Sequence, residues 1–306
     1  MAKDDSALQR ILLCRPASGL HDNICQIDLC CRHAERFERV VIVETDYQSS
    51  KHVRDSFSNY FVSTDPNLIL DAGPYRDLFD RLDVTPSGLF GRVTSAACRF
   101  QWGRGYVDSQ TDQSMAVDLS IDHAARLLVY HSLGSHPDGF RVMAKLRLHP
   151  DLAQELVKRL GGIERPYCGI HIRNTDYKTD YEQGLEAIKT KIDGPIFLAT
   201  DDRHVLEYAR ALFGESRVYS FATFPGGPAR PLHGLAPEDN AYERNADAIL
   251  DLMMLALAKD FYGFRLIPNS NGIDYSGYAL LAAKLRQAPK ILQTLLSGGA
   301  GTGHPK

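Results

Sequence analysis

Two short apolar runs in the second half of the chain end abruptly in polar and charged residues. Tyr167–Ile172 leads into Arg173-Asn-Thr-Asp176, and Ile196–Thr200 leads into Asp201-Asp202. Strands buried on both faces of a parallel sheet read as continuous apolar runs, and their carboxyl ends open onto the crevice where ligands bind. The pattern therefore predicts two parallel strands whose polar ends converge on one ligand-binding cleft.

Strand and helix patterns alternate along the first half of the chain, which is typical of a parallel α/β sheet. Asp22 is the predicted N-cap of the first helix. The segment 74–113, interrupted by glycines, gives no clear pattern. The predicted strands are Arg10–Cys14, Val40–Glu44 and Leu68–Asp71, and the predicted helices are Asp22–Phe37, Lys51–Phe61, Ile121–Leu133 and Pro150–Leu160.

The second half repeats this alternation and predicts a second α/β domain. Two halves that meet near residues 137–165 give an N-terminal domain at 1–145 and a C-terminal domain at 146–297, with 298–306 as a flexible tail. The loop 222–240, rich in proline and glycine, is a candidate lid. The further predicted strands are Val218–Phe221 and Phe264–Ile267, and the helices are Tyr181–Ile192, His204–Phe213, Ala246–Lys259, Tyr275–Leu285 and Lys290–Leu296.

Composition narrows the class of protein. The 306 residues carry a net charge of −3, which argues against binding to nucleic acid through a basic surface. The six cysteines show no metal or redox spacing and fit a reducing compartment. The polar start lacks a signal peptide, and no apolar run is long enough to span a bilayer, so we expect a cytoplasmic protein. Association with a membrane surface stays open, although no basic amphipathic helix stands out.

Arg173 is the first candidate for chemistry. A guanidinium at a strand end can hold a phosphate through two charge-assisted hydrogen bonds and stabilise the charge of a departing nucleotide diphosphate. The alternative is a surface ion pair with Asp176 or Asp180. His171 lies within the apolar run, where a buried core histidine is the ordinary interpretation and contact with a base or ribose is the functional one.

Carboxylates near these strand ends have several candidate roles. Asp201 could accept the N1–H and exocyclic amine of guanine, while Asp202 caps the helix that follows. Transfer to a hydroxyl needs a general base, for which Asp176, Asp180 and Glu182 are candidates.

Two loops are candidate phosphate contacts. One lies between the first strand and the first helix and contains Gly19, His21 and Asp22. The other includes Asn269 and Ser270, at a turn before a helix where backbone amides and a hydroxyl suit a pyrophosphate. A loop without a ligand is the alternative at the second turn. The chain has no histidine or cysteine cluster for a metal, and no cofactor is expected.

The order of these motifs resembles the fucosyltransferase superfamily of α1,6-fucosyltransferases, nodulation fucosyltransferases and protein O-fucosyltransferases. His171-Ile-Arg-Asn-Thr-Asp176 is similar to its His-x-Arg motif, Leu198–Asp202 to its guanine-reading segment, and Gly19–Asn23 to its first loop. Ile249–Asp251 through Asn269-Ser270 and Tyr278-Ala279 resembles its third motif. Asn174 stands where the α1,6 enzymes carry a second arginine, and Tyr181 where they carry an acidic residue.

The resemblance implies two Rossmann-like domains facing each other across a cleft (the GT-B fold), with the acceptor side in the N-terminal domain and the donor in the C-terminal domain. It implies an inverting glycosyltransferase that moves a sugar, by preference fucose, from a GDP-sugar to a glycan hydroxyl without a metal. Its binding partners would be that GDP-sugar and a glycan acceptor. A phosphohydrolase-type enzyme and a catalytically inactive nucleotide-binding regulatory protein are the alternatives.

Overall fold

Two parallel sheets, each flanked by helices, organise the chain. The structure, a computed structural model, describes residues 10–47, 53–136, 138–224, 240–268 and 272–297. The chain divides into one unit at Met1–His149 and a second at Pro150–Lys306. Among the described residues, no helix is both long and apolar enough to cross a lipid bilayer.

The first unit contains a five-stranded sheet and two small antiparallel pairs. Its elements in chain order are β1 (Ile11–Pro16), α1 (Leu20–Phe37), β2 (Val40–Val43), β3 (Phe61–Ser63), β4 (Leu68–Ile69), α2 (Arg76–Phe79), β5 (Val84–Thr85), β6 (Cys98–Gln101), β7 (Gly105–Asp108), β8 (Leu127–Ser132) and β9 (Leu146–Leu148). The main sheet has the order β4-β2-β1-β8-β5, and its strand pairs are all parallel. β3 pairs with β9, and β6 with β7, both antiparallel.

The central strand β1 is buried along its whole length, with no exposed surface on Ile11–Cys14. Its neighbour β8 is similarly apolar at Leu127–Val129. Such continuous apolar runs are expected where helices and loops cover both faces of a parallel sheet. The polar residues that follow these strands are therefore left at the carboxyl edge of the sheet.

The second unit contains a four-stranded parallel sheet with the order β12-β11-β10-β13. Its elements are α3 (Pro150–Gly161), β10 (Cys168–Ile172), α4 (Tyr181–Ile188), β11 (Ile196–Thr200), α5 (Arg203–Phe213), β12 (Val218–Tyr219), α6 (Ala241–Leu257), β13 (Asp260–Gly263), α7 (Gly277–Gln287) and α8 (Pro289–Leu296).

Gly169 allows helix α6 to approach the central strand β10 closely. A Cβ atom at this position would lie 2.9 Å from the Cβ of Ala258 and 3.3 Å from a methyl group of Leu255. Because a side chain at residue 169 would push the helix away, glycine fixes the spacing between helix and sheet. The strand end at Ile172 is thereby held in a defined place.

The predicted strands at the start of the chain and at both polar motifs are confirmed, but two predicted helices are wrong. From residue 53 onward, the predicted helix Lys51–Phe61 contains a short 3₁₀ turn at Phe57–Asn59 and the start of β3. Phe57, Tyr60 and Phe61 are all buried, and this spacing also occurs on the buried face of a helix.

The second wrong helix is Ile121–Leu133, which instead contains β8. Its apolar core, Leu127–Val129, inserts between β1 and β5. A short apolar run fits a buried helix and a buried strand equally well by periodicity. The predicted N-cap Asp22 is also wrong, because α1 begins at Leu20 with Gly19 as its N-cap.

The strand predicted at Phe264–Ile267 lies earlier, at β13. β10 pairs with Asp260–Gly263, and the later segment contributes one isolated bridge between Leu266 and Thr179. The segment 74–113 contains α2, β5 and the β6–β7 hairpin. Asn269 and Ser270, residues 225–239 of the candidate lid and the tail 298–306 lie outside the described residues.

Candidate functional site

The loop that follows β10 carries Arg173 and forms the centre of the candidate site. Its guanidinium donates from Nε to Oδ1 of Asp176 at 2.8 Å and from Nη2 to Oδ2 at 2.9 Å. A second carboxylate, Asp201, has an oxygen 3.7 Å from Nε. Both side chains of the Arg173–Asp176 pair are a little over a quarter exposed, so solvent and ligands can reach them.

The charge state of Arg173 suits an anion site. Burial alone lowers the pKa of its guanidinium, but the hydrogen bond to Asp176 and the charge of Asp201 outweigh burial and raise that pKa. The side chain therefore stays positive at any physiological pH. A planar cation with its two donors held at a strand end matches the geometry of a phosphate.

Asp201 fixes the loop that carries Arg173. One of its carboxylate oxygens accepts the backbone N–H of Asn174 at 2.7 Å, and the other accepts the hydroxyl of Thr175 at 2.6 Å. Both oxygens are thus engaged by the loop, and the side chain is only 10% exposed. The prediction that Asp201 reads guanine stays a prediction, but the structure gives this carboxylate a positioning role.

Asn174 ties the same loop to the next helix. Its side-chain amide donates to Asp202 at 2.8 Å, and its side-chain oxygen accepts the N–H of Thr179. Asp202 also accepts the N–H of His204, so its predicted role as the N-cap of α5 is confirmed. Asn174 and Thr175 were not predicted as site residues, although their position directly after a buried strand was a usable signal.

His171 is the last but one residue of β10 and is almost fully buried. Burial and the nearby charge of Arg173 lower the pKa of its imidazole to about 3. The ring packs against Tyr278 at 5.0 Å between centroids, and the Tyr278 hydroxyl donates to the carbonyl of Ala248 at 2.5 Å. His171 is therefore a neutral ring, able to accept or donate a hydrogen bond but not to act as an acid.

The third motif contributes a buried carboxylate. Burial raises the pKa of Asp251 to about 7, against the opposing charge of Arg159 and with the help of Asp247. Arg159 donates to Asp251 at 3.3 Å and also pairs with Asp247. The network joins α3 to α6, the helix to which the Tyr278 hydroxyl is also bound through the carbonyl of Ala248.

Asp180, a further predicted residue of the second unit, lies at the start of α4. Asp180 is its N-cap and accepts the backbone N–H of Gln183 at 3.4 Å. Its side chain is exposed, which leaves it accessible to a substrate. Within the described ranges, no three histidine, cysteine, aspartate or glutamate side chains are placed together to hold a metal ion.

Gly19, His21 and Asp22 lie in the first unit, whereas Arg173 and its neighbours lie in the second. Gly19 caps α1 through its backbone, and a Cβ there would meet nothing within 4 Å. His21 is buried, with its Nε2 3.7 Å from the sulfur of Cys25, and Asp22 is partly exposed. The free space at Gly19 and the amino end of α1 suit the approach of an anion.

Two groups of solved fucosyltransferases have a fold similar to that of this chain. Fucosyltransferase NodZ from Bradyrhizobium superposes with a TM-score of 0.60 at 16% identity, and the match covers 90% of this chain and 93% of that one. POFUT1 in complex with GDP superposes with a TM-score of 0.53 at 11% identity, covering 92% and 96%. No protein-family profile and no curated protein matches the chain.

These comparisons cover nearly the whole chain, so the likeness extends over both units and is not limited to one common sheet. The predicted class, α/β with two Rossmann-like domains, is confirmed. At this level of identity the likeness establishes the fold and leaves activity to be argued from the site. The chain has the fold of the NodZ and POFUT1 fucosyltransferases.

Proposed function

We propose that this chain is an inverting glycosyltransferase that transfers a sugar from a GDP-sugar donor, by preference GDP-fucose, to a glycan hydroxyl. The observation that carries the proposal is the position of Arg173 at the carboxyl end of β10. Hydrogen bonds to Asp176 and from the neighbouring Asn174 to Asp201 hold its loop there. The shared fold supports the proposal, because NodZ and POFUT1 have both been solved with GDP-fucose. The second unit would thus be the donor domain.

Donor binding would exchange the partner of Arg173. The diphosphate would take the two guanidinium donors that Asp176 accepts in the structure, at 2.8 and 2.9 Å. The bond between the anomeric carbon of the sugar and the β-phosphate oxygen breaks. As the sugar becomes oxocarbenium-like, negative charge grows on the departing GDP. Arg173 would stabilise that charge, and this supplies the positive charge that transfer without a metal requires.

The same exchange would release the general base. Asp176 would lose its two hydrogen bonds from Arg173 when the diphosphate arrives, and the carboxylate oxygen that does not accept from Tyr177 could then take the proton of the acceptor hydroxyl. Asp180 is the alternative base, exposed at the first turn of α4. His171 would contribute as a neutral hydrogen-bonding group beside the donor, because its pKa of about 3 keeps it uncharged.

The remaining donor contacts are proposed from sequence similarity. Asp201 or Asp202 would read guanine, Gly19, His21 and Asp22 would line the first loop, and Asn269 and Ser270 would meet the pyrophosphate. Both carboxylate oxygens of Asp202 already accept hydrogen bonds, one from the side chain of Asn174 and the other from the N–H of His204 at the start of α5.

Thermal unfolding of the purified protein with GDP, GDP-fucose, GDP-mannose, UDP and ADP tests the proposal, each with and without EDTA. A ligand that binds only the folded state at 100 times its dissociation constant stabilises it by about 2.7 kcal/mol, which raises Tm by several degrees. We expect a shift with the guanine nucleotides alone, unchanged by EDTA. No shift, or one that follows UDP or ADP, would overturn the proposal.

Two arginine variants localise the effect. Arg173→Ala should abolish the shift by GDP while the protein stays folded. Arg217→Ala is the matched control, because Arg217 lies before β12, at the opposite edge of the same sheet, where it donates to the carbonyls of Ile192 and Gly194. The control variant should lose some stability and keep the full shift by GDP.

A further inference from the structure

The β6–β7 hairpin of the first unit carries a continuous series of aromatic rings that ends in solvent. Trp102, at the turn, is 88% exposed, and Phe100 is 41% exposed. Their rings meet edge to face at 5.4 Å between centroids, and Phe100 meets Tyr106, its partner across the hairpin, at 5.5 Å. We call Phe100, Trp102 and Tyr106 the aromatic arm.

One carboxylate ties together residues on both sides of Trp102. Asp112 accepts hydrogen bonds from Arg99, Gln101 and Arg104, which come from β6 and from the turn that joins it to β7. Arg104 also donates to the backbone carbonyl of Asp112 at 2.8 Å. These bonds restrain the turn that carries Trp102, which reduces the backbone entropy that the turn would lose on binding.

At its inner end the aromatic arm reaches the carboxyl edge of the five-stranded sheet. Tyr106 packs on His131 of β8 at 4.2 Å, and His131 in turn meets Tyr47 at 5.2 Å. His131 is 4% exposed and its Nδ1 has no hydrogen-bond partner among the described residues. Nη1 of the buried Arg15, at the end of β1, likewise lacks one there.

This edge is where open α/β sheets bind their ligands. Buried polar atoms without partners are rare and call for an explanation such as a bound ligand or water. Large exposed aromatic rings mark interaction sites for the same reason, since their apolar faces are otherwise left in water. Tyr106 joins the two features, because its ring contacts both Phe100 of the hairpin and His131 at the sheet edge.

We infer that the aromatic arm is a platform on which a pyranose ring of the acceptor glycan stacks. A sugar ring with equatorial hydroxyls, such as a β-linked glucose or N-acetylglucosamine unit, has two apolar C–H faces and a polar rim. The faces would cover Trp102 and Phe100, and the rim would reach polar groups of the hairpin. The inference rests on the proposed function for its acceptor and adds the place and the ring chemistry of recognition.

A protein partner fits this surface less well. Specific protein–protein interfaces bury about 1,200–2,000 Å² and have an apolar centre. The aromatic arm offers two exposed rings, and Arg99 and Arg104 of the same hairpin pair with Asp112, which follows β7. A narrow aromatic surface with hydrogen-bonding groups beside it matches one or two sugar rings.

The chain's single tryptophan makes the test direct. Intrinsic fluorescence of the full chain would be followed during titration with cellotetraose, chitotetraose and glucitol, the last having hydroxyls but no ring face. We expect a saturable change in Trp102 emission with at least one tetrasaccharide and none with glucitol. An unchanged emission with both tetrasaccharides, or an equal response to glucitol, would overturn the inference.

Two variants distinguish stacking on the aromatic arm from the unspecific effect of removing any exposed aromatic ring. Phe100→Ala keeps the fluorophore and should weaken tetrasaccharide binding about two- to tenfold, the range for loss of one aromatic contact. Phe90→Ala is the matched control, because Phe90 is 65% exposed but lies outside the aromatic arm. Equal loss in both variants would contradict the inference.

Calorimetry with Trp102→Ala distinguishes failure of this inference from failure of the proposed function. The variant should lose affinity for the tetrasaccharide and bind GDP as the wild type does. If wild-type protein binds GDP but no tetrasaccharide, the aromatic arm is not the platform. If it binds the tetrasaccharide but no GDP, the platform stands and the proposed donor is wrong.

Discussion

Replacing Asp176 by asparagine is expected to tighten GDP binding and to slow sugar transfer. The asparagine keeps one oxygen for Nε of Arg173 and for the N–H of Tyr177, which Asp176 accepts at 2.8 and 3.0 Å. The loop should therefore stay in place. What changes is the negative charge that competes with the diphosphate for the guanidinium.

The size of this effect follows from the geometry. A diphosphate oxygen on the Arg173 guanidinium would come to about 4 Å from the carboxylate, where two like charges repel by roughly 1 kcal/mol in water and about 4 kcal/mol at an effective dielectric constant of 20. Both side chains are more than a quarter exposed, so the lower half of this range applies. Relief of about 1–2 kcal/mol corresponds to roughly five- to thirtyfold tighter GDP binding.

Isothermal titration with GDP at two salt concentrations measures this gain, which should shrink as salt screens the repulsion. Asp180→Asn is the control, since Asp180 caps α4 by accepting the N–H of Gln183, whereas the carboxylates beside the Arg173 guanidinium are those of Asp176 and Asp201. If Asp176 is also the base, its variant should lose about 10²–10⁴-fold in transfer rate. A folded Asp176→Asn protein that binds GDP no better than the wild type would refute the reasoning.

Three further outcomes are expected. Asp201→Asn should weaken GDP and inorganic pyrophosphate by the same factor in calorimetry, because the loop loses a carboxylate acceptor; a loss confined to GDP would instead support guanine reading. His171 has a folded pKa of about 3, below its usual 6.5. Its neutral form is therefore favoured by folding, so stability in urea should fall as pH drops from 6.5 toward 3, and less steeply in His171→Gln. Gly169→Ala should destabilise the protein by about 1–3 kcal/mol in urea unfolding, since its Cβ would lie 2.9 Å from Ala258; unchanged stability would show that α6 can move.

The strands that carry the site were predictable because they are buried on both faces. Cys168–Ile172 and Ile196–Thr200 are each five residues long, with a proline shortly before and charged residues after, and this favours strands whose following residues lie at the carboxyl edge. Short apolar runs elsewhere were ambiguous. Leu127–Val129 forms the first half of a strand because it pairs with β1 and β5, and no local pattern records these partners.

The roles of individual carboxylates were harder to predict than their location. Asp201 and Asp202 were expected at the strand end and lie there, but hydrogen bonds to Asn174 and Thr175 use their oxygens. These contacts depend on the path of the loop after β10, in which Asn174 lies 28 residues before Asp202 in the chain. The aromatic arm lay in segment 74–113, where a hairpin built from Phe100, Gly103 and Tyr106 has no helical or long-strand period to detect.

A crystal structure of the protein with GDP tests the central claim most directly. We expect the β-phosphate on the Arg173 guanidinium, with Asp176 turned away from the two N–H groups from which it accepts hydrogen bonds in the free protein. GDP bound away from the carboxyl edge of β10, or a phosphate that leaves the Arg173–Asp176 pair closed, would contradict it.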